Sequence, residues 1–78
     1  MGKAARQARE YAAMAARAER SMQWARAASL QGRADGVSGR SPMGPMDFMG
    51  QEELYPTYRA GLNEGAAERA SIAEIAAS

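Results

Sequence analysis

A chain of 78 residues with neither cysteine nor histidine has no disulfide, no thiolate chemistry, and neither the commonest metal ligand nor the commonest general base. Its hydrophobic share of 46% is mostly alanine, so large apolar side chains are few. A chain this short stands near the lower limit for burying a sufficient core. An enzyme, a metal and a cofactor are therefore not expected, while a homodimer or a docked subunit is.

The net charge of +1 conceals a division along the chain. Residues 1–40 carry eight basic and three acidic side chains, and residues 41–78 carry two basic and six acidic ones. Either the basic half faces an anionic partner such as RNA, or it pairs with the acidic half in a hairpin or a dimer. No stretch approaches the length of an apolar membrane span, and the N-terminal alanines lack the apolar centre of a signal peptide. A cytoplasmic protein with no membrane partner is the expectation.

From Lys3 to Gln31 nearly every residue is a strong helix former, with no proline or glycine, which predicts one long first helix over 3–39. Its apolar seam is narrow: Tyr11, Met14 or Ala15, Ala18, Met22, Ala25 and Ser29 recur at three- and four-residue steps. Trp24 lies off the seam and, with Ala28 and Gln31 or Gly32, marks a second contact surface. Gly32, Gly36 and Gly39 then signal the helix end, or a close approach to a second backbone.

Residues 40–53 contain two prolines and two glycines and form a linker. Its Met43, Met46, Phe48 and Met49 are too apolar for a solvated loop; they cover the helices or meet a partner. A second helix is predicted over 54–76, with proline in its first turn and Glu52 and Glu53 ahead of its N-terminus. Tyr58, Leu62, Ala66 and Arg69 line one stripe of it. Gly61 and Gly65 repeat the spacing of Gly32 and Gly36, so the two glycine pairs read as two halves of one helix contact. The expected fold is all-α, a single domain in which a long N-terminal and a shorter C-terminal helix form a helical hairpin.

No catalytic constellation emerges. Ser41 lacks a histidine partner, and Asp47, Glu52 and Glu53 lack calcium-loop spacing. Arg26, Arg33 and Arg40 are seven residues apart and would lie near one face beside Trp24, a candidate phosphate track. The competing reading is a solvated arginine face, or internal pairing with Glu64 and Glu68.

The order Gly32, Gly36, Gly39, Arg40, Ser41, then Pro42 and Pro45, then Tyr58, Ala60, Gly61, Leu62, Glu64, Gly65, Ala67, Glu68 and Arg69, resembles the ribosome modulation factor family over about residues 31–69. Leu62 and Asn63 stand where that pattern tends to an aromatic and an arginine, and the second half is more acidic. The resemblance implies two helices and a linker that bind the small ribosomal subunit near the 3′ end of its rRNA and regulate translation by ribosome hibernation. It adds Tyr58 and Arg69 to Trp24, Arg26, Arg33 and Arg40 as candidate RNA or partner contacts. The alternative is a small adaptor or inhibitor, of the kind phage or mobile elements encode, that dimerises through its helices and presents Met43, Met46, Phe48 and Met49 to a protein target.

Overall fold

Helix-forming residues occupy most of the chain, and the computed structural model, which describes residues 2–77, is all-helical. Its elements are α1 (Lys3–Arg20), α2 (Trp24–Ser38), a single 3₁₀ turn (Pro45–Phe48) and α3 (Leu54–Ala77). The expected first helix over 3–39 is thus two helices. Met22 takes a left-handed conformation at φ 59°. The Gln23 N–H donates to the Ala18 carbonyl at 2.8 Å and the Met22 N–H to Glu19 at 3.0 Å. This is a Schellman closure with methionine where glycine is usual. Neither glycine nor proline announces it.

Freed at that turn, α2 folds back along α1. Residues Ala5–Ala12 of α1 face Gln31–Arg40, while Ala15 and Glu19 face Trp24–Gln31, so the two helices are antiparallel. Their contact is made of buried alanines, Ala15 and Ala18 against a surface that includes Ala27, Ala28 and Ala34. Small side chains bring the axes close, and each contributes little burial. The apolar seam ends at the turn: Met22 is 75% exposed and Ala25 is exposed.

Helix α2 does not stop at its first glycines. It passes through Gly32 and Gly36 and closes at Gly39, whose φ of 72° is the left-handed cap. The N–H groups of Gly39 and Arg40 both donate to the Asp35 carbonyl. A Cβ on Gly32 would strike the backbone of Tyr58 and Leu62, and one on Gly36 the backbone of Leu62, Gly65 and Ala66. In return, Gly61 abuts Ser29 and Arg33, and Gly65 abuts Arg33 and Val37. The contact therefore reads 29–37 against 58–66 in the same sense.

The glycine-lined pair, α2 and α3, consequently runs parallel; the antiparallel hairpin is the one inside residues 3–38. The connector of residues 39–53 makes this possible. At ~3.3 Å per extended residue it easily retraces the ~22 Å of α2 before α3 begins. Helix α3 starts with Pro56 in its first turn, where the missing N–H has no intrahelical partner to lose.

Candidate functional site

The connector is held by one buried polar node. Asp35 of α2, itself buried, accepts hydrogen bonds from the Tyr58 hydroxyl at 2.6 Å and the Gln31 side-chain amide at 3.0 Å. The Tyr58 oxygen in turn accepts the Met43 N–H at 2.9 Å. A buried carboxylate is costly unless donors surround it, so these partners are structurally required. Burial, then the hydrogen bond to Asp35, pushes the Tyr58 phenol up to about 12, against a smaller opposing effect of the Met43 N–H. Tyr58 is fully buried and acts within the fold; its ring stacks at a tilt on Phe48, 5.3 Å between centroids.

Pinning Met43 lays the connector over the start of α2 and α3. Phe48 is buried against Ala28 and Tyr58, with Leu54, Tyr55 and Leu62 packed around them. Beside this cluster a groove of about 310 Å³ opens between α1, α2 and the connector. Ala28, Met43, Phe48 and Leu54 line it, Trp24 forms an edge, and Glu19 and Asp47 supply acidic groups. The four linker side chains separate here: Met43 and Phe48 turn inward, whereas Met46 and Met49 are 74% and 68% exposed.

Arg33 is committed to a second tie. Its guanidinium lies 4.7 Å from the centroid of the Tyr11 ring and bonds Glu68 at 3.2 Å, with Glu64 at 3.9 Å. Glu68 also accepts from the Tyr11 hydroxyl at 2.8 Å and from Gln7 at 3.1 Å. Burial alone would raise the Glu68 carboxyl, but the donors Tyr11, Gln7 and Arg33 outweigh it and hold the group below its usual value. The Tyr11 phenol is raised, by burial first and then by Glu68. This cluster joins all three helices.

Arg26 and Arg33, seven residues apart on α2, share a helical face, whereas Arg40 lies beyond the end of the helix, and the three differ in what they meet. Arg26 is exposed on the first turn of α2, Arg33 is drawn inward, and Arg40 is exposed beyond the Gly39 cap. Their ends of α2 are ~20 Å apart. Arg69 donates to the Val37 carbonyl at 3.4 Å and lies against Gly39, so it serves the C-terminus of α2. Trp24, 45% exposed, belongs to the groove.

What the structure does bring together is a set of cations on α1. At about 100° per residue, Lys3, Arg6, Arg9, Arg17 and Arg20 fall within an arc of about 120°, opposite the buried Ala15 and Ala18. All five are exposed, and among the described residues none forms an ion pair. Glu10 is the acid inside that arc; Glu19 lies on another face. The signal lies in the spacing, steps of three and eight residues that return to one arc of a helix. Comparison of the chain with protein-family models, curated proteins and solved structures finds no match.

Proposed function

We propose that this is a small helical RNA-binding protein of the ribosome modulation factor type, which docks on ribosomal RNA and regulates translation. The observation that carries the reading is the cationic face of α1: five exposed side chains that form no ion pair among the described residues, on a helix whose other side is fixed to the bundle. Such a face offers a track for phosphates, and phosphate neutralisation supplies most of nonspecific RNA affinity. Two acids of the second half, Glu64 and Glu68, lie on α3 and engage Arg33 rather than the cations of the α1 face.

The resemblance over residues 31–69 supports the ribosomal target, and the α1 face supports the RNA chemistry. Under this reading the contact residues are Lys3, Arg6, Arg9, Arg17 and Arg20, with Arg26 and Arg40 at the flanks. Arg33, Tyr58 and Arg69 hold the fold that presents them.

Sedimentation with small ribosomal subunits on a low-salt gradient tests the proposal. The protein is expected to comigrate, to leave the subunit as salt rises, and to lose comigration when Arg6, Arg9, Arg17 and Arg20 are all changed to glutamate. Absence of comigration at low salt overturns it. Recovery of one ribonuclease-resistant protein from a bacterial lysate, with no ribosomal component, would favour the adaptor reading through Met46 and Met49.

A further inference from the structure

The groove beside Trp24 has a largely apolar lining that also carries two acids. The tip of the α1–α2 turn has the opposite character. Met22 is 75% exposed there, between Arg20 and Arg26, both also exposed. Met22 also holds a left-handed backbone at φ 59°, a conformation that favours glycine and disfavours a side chain with a Cβ. The closure of the turn holds that backbone, and residues of this kind cluster at functional sites. A large apolar side chain thus stands three-quarters exposed at a position better suited to glycine.

We infer that the occupant of the groove is the turn of a second copy of this chain, Met22 entering between Trp24, Phe48 and Leu54 while Arg20 and Arg26 meet Glu19 and Asp47. The knob and the hole are neighbours, since Trp24 follows Met22 by two residues and forms the groove's edge. A two-fold axis near the turn lets each copy donate its knob and receive the other's, the arrangement an isologous interface requires. Methionine suits the role because its unbranched thioether adapts to an irregular pocket. The charges match in sign: two arginines flank the knob and two acids line the hole. The core gives a reason for association, because its buried hydrophobic residues are mostly alanines, with Val37, Phe48 and Tyr58 the larger ones. Arg20 and Arg26 also stand among the proposed RNA contacts, so the test of pairing contains no RNA.

Sedimentation equilibrium of the purified chain gives the test, with Met22→Gly as the decisive variant. Glycine relieves the left-handed position, so the melting temperature at low protein concentration should rise by a few degrees. Dimerisation should weaken at least about tenfold, from the lost burial of a methionine on each side. Glu19→Arg should also weaken the dimer, and Arg26→Glu added to it should restore association; neither residue has a structural partner among the described contacts. A wild-type chain that stays monomeric up to millimolar concentration overturns the inference. So does a dimer that Met22→Gly leaves unchanged, or a monomer whose groove instead takes a basic, methionine-containing peptide.

Discussion

The Tyr58 hydroxyl, on α3, donates a 2.6 Å hydrogen bond to Asp35 on α2 and simultaneously receives the Met43 N–H of the connector. One phenol thus ties together three segments that are distant in sequence. It does so inside the cluster that shapes the groove, so the packing of Phe48 and the path of the connector depend on it. Replacing Tyr58 with phenylalanine keeps the ring and removes the bridge, leaving Met43 N–H unpaired and Asp35 with Gln31 as its remaining side-chain donor. A loss of about 2–3 kcal/mol is expected in denaturant unfolding.

The same phenol sets an alkaline limit. Its folded value of about 12 is above the ordinary 10.0, so the neutral form is favoured in the native state. The corresponding stability is fully present below pH 10 and is lost as pH rises from about 10 to about 12. Helicity followed by circular dichroism should fall in that window, and Tyr58→Phe should lack the phenol-linked part of the fall. An identical alkaline profile in the two proteins would contradict this assignment.

At the acid end the controlling group is Glu68, whose carboxyl is lowered below 4.5 by Tyr11, Gln7 and Arg33. A depressed value contributes stability above the ordinary carboxylate range, and this is lost as pH falls below about 4.5. Since Glu68 joins α1 to α3, the Tyr11 fluorescence environment should change in that range. Glu68→Gln should remove the dependence and lower stability at neutral pH.

Gly36→Ala should be among the most damaging single methyl additions, because the new Cβ would meet the Leu62, Gly65 and Ala66 backbone rather than a movable side chain. Helix propensity alone would make the change favourable by about 1 kcal/mol. Steric separation of α2 from α3 should reverse the sign and cost several kcal/mol. Gly44→Ala, where nothing lies within 4 Å, is the control and should be nearly neutral. Thermal melts of the pair decide the matter.

Arginines at different places should fail in different ways. Arg33→Gln removes the Tyr11, Glu64 and Glu68 contacts and should reduce stability, with little effect on RNA affinity per folded molecule. Arg6→Ala with Arg17→Ala should leave the melting temperature nearly unchanged and reduce the salt slope of RNA binding by about 1.4–1.8, the value for two phosphate contacts. Filter binding over a salt series distinguishes the two classes.

Composition and local propensity were enough to make this an all-helical chain. They also placed a break between Gly39 and Leu54, since two prolines in the 40–53 segment cannot sit inside a regular helix. The paired glycine spacing marked the surface through which two backbones approach, because close approach has few other residue solutions. Three things required the tertiary structure. The turn at Met22 is closed by a residue with no turn signature, and it holds where α1 and α2 can bury their alanines against each other. The direction of α3 was expected to be that of a hairpin, yet glycine spacing permits parallel and antiparallel crossing alike; the long connector allows the parallel one, and the Tyr58–Met43 bond fastens it. The roles of the arginines were decided by what stood across from them: an aromatic ring and two carboxylates engage Arg33, while the cations on the far side of α1 are exposed and stand outside the ion pairs among the described residues. Propensity is a property of neighbours in sequence, and which charge is satisfied is a property of neighbours in space.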